Sequence, residues 1–149
     1  MVYYHRVILY FDGASRRNPH GPAGCGWVLY EMDYNGADSY NSIAEGREYL
    51  GYNVSNNQAE YQGLIEGLKY IRDYINCDML YIRGDAEIVI RQMDGEYNVN
   101  SPNIRPYYYD AKEVLAEIDY SAISFRHVRR DKNWEADQLA NQAINEVGY

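Results

Sequence analysis

Four acidic side chains offer the first chemical clue in this 149-residue chain, because they fall where an α/β chain brings its functional groups together. Asp12 follows a segment, residues 3–11, rich in Val, Ile, Leu and aromatic side chains, and Asp85 follows a shorter apolar segment, 79–83. Both read as positions just past strand ends, and neighbouring strand ends in an open α/β sheet form the usual crevice for ligands. Glu60 falls in the first turn of one expected helix and Asp137 in the first turns of another. Carboxylates converging from four elements repel one another and raise their own pKa values unless cations share the site. Oxygen ligands with no accompanying His or Cys favour Mg²⁺ or Mn²⁺ over zinc. Two such ions about 4 Å apart can activate a water and stabilise the departing oxygen in phosphodiester hydrolysis. Taken singly, each acid has a plainer reading: Asp12-Gly13 and Gly84-Asp85 are ordinary turn dipeptides, and Glu60 and Asp137 are ordinary solvated acids near helix starts.

The elements that must position these acids follow from the periodicity. Residues 3–11 suit a central strand covered on both faces, ended by Asp12-Gly13. Residues 15–24 read as a loop, 25–32 as a second strand, 33–38 as a turn and 40–54 as a third strand with a solvated face, which together imply an antiparallel meander. Leu64, Ile65, Leu68, Ile71 and Ile75 then recur at helical spacing, with Ser55, Asn56 or Asn57 available as the cap. A strand over 79–83, a short helix over 88–93 closed by Gly95, and a helix striped by Ala111, Val114, Leu115 and Ile118 come next. A strand over 123–128 and a final helix lined by Leu139, Ala140, Ala143, Ile144 and Val147 complete the chain. The order βββαβααβα predicts an α/β fold, a mixed sheet flanked by helices.

Composition limits the chemistry. A length of 149 residues suits one domain spanning 1–149. A net charge of −8 and a pI near 4.8 argue against an unspecific polyanion binder, so any nucleic-acid role must be local. Two bound divalent cations would halve that charge. The N-terminal segment does not read as a leader and no apolar run reaches membrane-spanning length, so a soluble, intracellular, cytoplasmic protein with no membrane partner is expected. Cys25 and Cys77 lack metal-ligand spacing and are expected as buried free thiols.

Four motifs occur in order: Asp12-Gly13-Ala14-Ser15 with Asn18-Pro19 and Gly21-Pro22; Ser55-Asn56-Asn57-Gln58-Ala59-Glu60; Arg83-Gly84-Asp85-Ala86-Glu87; and Asn133-Trp134-Glu135-Ala136-Asp137. With these motifs the chain resembles ribonuclease H of type 1 over nearly its whole length. The resemblance implies a ribonuclease H-like fold with a five-stranded mixed sheet. It implies a monomeric endonuclease that hydrolyses the RNA strand of RNA/DNA hybrids with two Mg²⁺ ions, Mn²⁺ being a possible substitute, and leaves 5′-phosphate and 3′-hydroxyl ends. Asp12, Glu60, Asp85 and Asp137 would be the catalytic metal ligands.

The resemblance also assigns substrate contacts. Asn18, Asn57 and Glu87 match positions that touch the nucleic-acid backbone or RNA 2′-hydroxyls, with the amides near Gly13 and Ala14 doing likewise; 2′-hydroxyl contacts are how a protein tells RNA from DNA. An Asx-turn for Asn18 and a helix cap for Asn57 are equally open. Many family members carry a mobile histidine before the last acid. Here His127, ten residues before Asp137, reads better as a strand end, similar to a subgroup in which that histidine is missing and an arginine takes its neighbourhood. Arg130 is then the candidate for phosphate contact or product displacement, its alternative being a solvated loop charge. Residues 95–106 contribute only Arg105, so the basic protrusion of some relatives is absent, and Arg16, Arg17, Arg129, Arg130 and Lys132 are left as local phosphate contacts. The 18 tyrosines are expected in sheet packing and Trp134 as a helix anchor, the alternative for both being stacking on exposed bases. Competing readings are a catalytically weak or inactive hybrid-binding module, another nuclease of the superfamily, and the nuclease domain of a reverse transcriptase.

Overall fold

Val7, Leu9 and Phe11 alternate along the first strand and are wholly buried, as a central strand requires. The computed structural model describes residues 1–32 and 40–149, so the turn expected over 33–38 lies outside the described residues. The strands are β1 (Val2–Ser15), β2 (Ala23–Met32), β3 (Tyr40–Gly51), β4 (Ile75–Gly84) and β5 (Ala122–His127). The helices are α1 (Asn56–Tyr74), α2 (Glu87–Met93), α3 (Arg105–Ala116) and α4 (Trp134–Asn145), the last entered through a 3-10 turn, Arg130–Asn133. The expected order βββαβααβα is the order found.

The five strands form one mixed sheet in the order β3-β2-β1-β4-β5. β1 pairs antiparallel with β2 and parallel with β4; β2 and β3 form the rest of the meander, and β5 runs parallel to β4. Alternation divides the sheet into two faces. Val7, Leu9, Phe11, Trp27, Leu29, Leu80 and Ile82 form one core with α1, α2 and α3, in which the Trp27 and Tyr70 rings lie 5.2 Å apart. Gly24 and Gly26, on the alternate face of β2, lie against α4. Cys25 and Cys77 are buried free thiols, and no described helix is long and apolar enough to cross a membrane.

Several boundaries differ from the sequence reading, each for a pairing reason. β1 does not end at Asp12-Gly13: its parallel ladder with β4 stops at Phe11↔Gly84, but Asp12 to Ser15 remain paired with Gly26 to Ala23. β3 stops at Gly51, whose φ of +82° leaves the strand, rather than at 54. Ile75 belongs to β4, not to the helix; it caps α1 in an extended conformation and pairs with Val2, so helix and strand join without a loop. Ser55 is the cap of α1, in a reciprocal capping box with Gln58. Ile118 is buried just beyond α3, and Val147 is exposed beyond α4.

The back-face contact is tight. A Cβ added to Gly26 would lie 2.7 Å from both the Ala136 carbonyl oxygen and Leu139 Cβ. Gly26→Ala should therefore push α4 off the sheet and cost about 1–3 kcal/mol, as overpacking does, lowering Tm by roughly 3–10 °C for a domain of this size. Thermal denaturation checks this; an unchanged Tm would show that α4 tolerates displacement.

Candidate active-site cleft and metal centre

The site forms at the sheet edge where β4 stops and β1 runs on. Asp12 lies opposite Gly26 and shares its α4-facing side, whereas Gly13 turns toward α1. A Cβ on Gly13 would fall 2.3 Å from the backbone of Ala59 and Glu60, so only glycine lets β1 meet the first turn of α1 this closely. That approach sets the carboxylate of Glu60, the fifth residue of α1 and so just past the first turn where it was expected, beside Asp12. Asp85 follows the last residue of β4 and completes a trio whose ligand oxygens all lie within 4.8 Å of one another. Asp12 and Glu60 are only 3% and 9% exposed, and Asp85 is half-buried.

Asp137 comes from the opposite wall. It lies in the first turn of α4 and lines the same open cleft of about 950 Å³, but stands outside the tight trio. Asn141, one turn on, donates from Nδ2 to the Asp137 carbonyl (3.0 Å) and to its carboxylate (3.4 Å). The cleft thus holds all four acids, with Gly13, His127 and Arg130 on its lining.

Electrostatics follow from that crowding. Burial is the main cause raising the Asp12 pKa, with the nearby Asp85 and Asp137 charges adding to it. Glu60 is raised well above the usual carboxylate range by burial and by the charge of Asp12. The two side chains share a hydrogen bond, which two carboxyl groups can make only while one keeps a proton. Glu60 Oε2 is buried without a hydrogen-bond partner. A buried, unpartnered carboxylate oxygen within an oxygen-only donor set fits a hard divalent cation, which would displace the proton and satisfy the orphaned atom.

One residue without a role in the sequence reading holds this arrangement. Asn133 is 2% exposed; its Nδ2 donates to the Phe11 carbonyl at 2.9 Å and to Asp85 Oδ1 at 3.2 Å. It ties the end of the β1–β4 ladder to a metal-site carboxylate and fixes the start of α4. Its motif was visible, but its partners lie 122 and 48 residues away, so no local signal distinguishes it. Trp134, expected as the helix anchor, is 60% exposed: the anchor is the residue before it. Asn56 was also missed as a cleft residue; it lines the cleft and accepts from the Ser15 amide at 2.8 Å.

The remaining expected contacts are dispersed. His127 ends β5, as the strand reading has it, yet its Nε2 lies 3.2 Å from the Asp85 carbonyl oxygen and its ring lines the cleft. Asn18 is exposed and accepts from the Asn56 amide at 3.0 Å, which braces the start of α1. Asn57 lies outside the cleft, in a neighbouring polar groove with Asn53, Gln58 and Asn103. Glu87 is exposed and paired with Arg91 at 2.8 Å. Of the five flanking cations, Arg16, Arg129 and Arg130 line the cleft, and Lys132 lines a separate, smaller cavity with Tyr10, Tyr30 and Glu135. Arg16 is bound to Asn141, Asn145 and the Tyr149 carbonyl.

Residues 10–143 match the family described as reverse transcriptase-like. Ribonuclease HI of Halobacterium salinarum is 41% identical over 142 residues, which cover 95% of this chain and 66% of that protein. The crystal structure of RNase H1 from the same archaeon has a TM-score of 0.80 at 40% identity, covering 95% of this chain and 98% of that one. The bifunctional protein Rv2228c of Mycobacterium tuberculosis is 33% identical over 140 residues, covering 94% of this chain and 36% of its own length. LC11-RNase H1, solved in complex with an RNA/DNA hybrid, has a TM-score of 0.80 at 33% identity, covering 95% and 98%. The chain therefore spans just under two thirds of the archaeal relative and about a third of the mycobacterial one.

The raised pKa values have a signed consequence for stability. A carboxyl group whose folded-state pKa lies above its unfolded value favours the fold while protonated, and that contribution is lost as pH rises through the folded pKa. In EDTA, Tm should fall between pH 5 and pH 9 by about 5 °C more in the wild type than in Asp12→Asn, whose neutral amide removes one charge. Millimolar Mg²⁺ should restore wild-type stability chiefly at the higher pH. Equal pH slopes for the two proteins in scanning calorimetry would show that Asp12 carries no such penalty.

Proposed function

Because this chain belongs to the type 1 ribonuclease H family and has its ribonuclease H-like fold, we propose that it is a metal-dependent endoribonuclease acting on the RNA strand of RNA/DNA hybrids. The observation that carries the reading is the trio Asp12, Glu60 and Asp85 within 4.8 Å, with the Glu60 oxygen unpartnered, in a cleft that Asp137 also lines. These four carboxylates would hold two Mg²⁺ ions, with Mn²⁺ as a substitute. Bound there, such ions supply Lewis acidity toward the phosphodiester and a water that ionises near neutral pH, consistent with 5′-phosphate and 3′-hydroxyl products.

The chain's own residues do the positioning. Gly13 holds Asp12 and Glu60 together, and its amide donates to Asp12 Oδ1 at 2.9 Å. Asn133 orients Asp85. Arg129 and Arg130 on the cleft wall place positive charge where a substrate phosphate would lie, which a chain of net charge −8 needs locally. His127 sits at the cleft with its Nε2 turned to a backbone carbonyl, a geometry that suits an auxiliary role rather than a general base. Asn56 in the cleft, with Asn18, Asn57 and Glu87 beyond it, offers amide and carboxylate groups for 2′-hydroxyl and backbone contacts along the hybrid. The connection between α2 and α3 carries no Lys or Arg, the first cation after it being Arg105 at the start of α3, and it contributes no basic protrusion. We further propose that residues 1–149 act as one monomeric catalytic unit, inside the cell.

The decisive assay is cleavage of an end-labelled RNA strand in a hybrid, against duplex RNA, duplex DNA and single-stranded RNA, in Mg²⁺, Mn²⁺ or EDTA. Hybrid-only, EDTA-sensitive cutting is expected, and Asp85→Asn should reduce it by at least about a hundredfold because a charged ligand is lost. Retention of activity within threefold would sink the metal-site assignment, and no cutting in any metal would favour a non-catalytic hybrid-binding module. Arg130→Ala should weaken hybrid binding and lower the slope of log Kd against log salt by about one ion, as loss of one phosphate contact does. An unchanged slope would make Arg130 a bystander.

A further inference from the structure

Among the described residues, no contact gives Trp134 a structural task that its position explains. The chain's other tryptophan, Trp27, is 8% exposed and packed on Tyr70, whereas Trp134 stands 60% exposed at the first residue of α4 while Asn133 does the anchoring. An exposed indole carries a large apolar surface that water disfavours, and it is retained most readily where a partner covers it. Its neighbours indicate the partner. Three and seven residues on, Asp137 and Asn141 share its stripe of the helix, and both line the cleft. Immediately before it, Arg129, Arg130 and Lys132 are exposed and opposed by one acid, Asp131, which pairs with Arg129 at 3.4 Å. Three of the chain's 14 Lys and Arg residues thus fall within four positions of a protein whose net charge is −8.

We propose that Trp134 is a nucleic-acid contact on the cleft rim, its ring packing on a sugar of the hybrid's backbone while Arg129, Arg130 and Lys132 face the adjoining phosphates. The contact rests on the hybrid-cleaving reading above and extends the footprint beyond the metal cleft. A sugar ring is the suitable partner because the bases of a paired hybrid are already stacked on one another, leaving the sugar as the accessible apolar surface beside each phosphate. The occupant is chosen by charge: a cationic segment beside an exposed aromatic complements a polyanion and repels the same cationic segment of a second copy. Such a contact makes Trp134 a binding determinant and leaves the reacting atoms untouched.

The test uses the full chain with Asp85→Asn, so that substrate survives, and follows a dye-labelled RNA/DNA hybrid by anisotropy together with tryptophan emission. Subtracting the spectrum of the same protein carrying Trp134→Phe isolates Trp134 without disturbing the buried Trp27. Hybrid binding should shift the isolated emission to the blue and reduce acrylamide quenching at least twofold. Trp134→Ala should raise the hybrid Kd about tenfold, the scale of covering part of an aromatic side chain, with Tm unchanged. Hybrid binding by anisotropy with unchanged Trp134 emission, quenching and Kd would overturn the contact while leaving the nuclease reading intact. No binding of hybrid at all would overturn both. Protection of the indole that rises with protein concentration in the absence of hybrid would assign the surface to self-association and overturn the proposal.

Discussion

Two carboxyl groups pressed together out of water are the constraint on which the site depends. Asp12 and Glu60 repel each other when ionised, and nothing in their own chemistry holds them in contact. Packing does so. The missing Cβ of Gly13 lets the end of β1 touch the first turn of α1, and the buried contacts of Leu9, Phe11, Leu64 and Leu68 lock strand and helix together behind it. The hydrophobic core thus supplies the free energy that holds the acids in a poised, high-pKa state. A divalent cation would relieve that state, which links metal binding to proton release and to stability.

The geometry works because two faces of the sheet meet at one edge. α1 approaches from the side of the main core and α4 from the opposite side, and both reach the site because β4 ends at Gly84 while β1 continues to Ser15. Asn133 bridges this step, satisfying the Phe11 carbonyl at the end of the parallel ladder and holding Asp85 with the same amide group. A residue that satisfies the backbone and orients a carboxylate at once makes the position of α4 and the shape of the acid cluster interdependent. Asp137 and the cationic rim before α4 move with it.

Charge is distributed to match. The overall negative balance would repel a nucleic acid, yet the cleft gathers Arg16, Arg129 and Arg130 beside the four acids that would hold cations. Arg16 is tethered to α4 and to the terminal Tyr149, which leaves Arg129 and Arg130 as the arginines of the wall best placed for phosphates. Local arrangement, not net charge, decides what such a surface attracts.

Much of this was legible in the sequence because it is local. Apolar runs bounded by turn residues marked the strands and helical spacing marked the helices, in the right order, and the four acidic motifs carried both the family and the carboxylates. Boundaries failed where pairing with a distant segment overrode local signals: β1 extends through Asp12-Gly13 because β2 still pairs there, and Ile75 joins β4 because Val2 lies beside it. The site divides in the same way. The sequence by itself determined which side chains could bind a cation and which elements would carry them, since residue type and periodicity are properties of short segments. Only the tertiary structure decided that Gly13 is a contact rather than a turn, that Asn133 rather than Trp134 anchors α4, and that Asn57 and Glu87 lie outside the metal cleft. Those outcomes depend on which atoms meet across dozens of residues, and close packing, not local preference, sets such meetings.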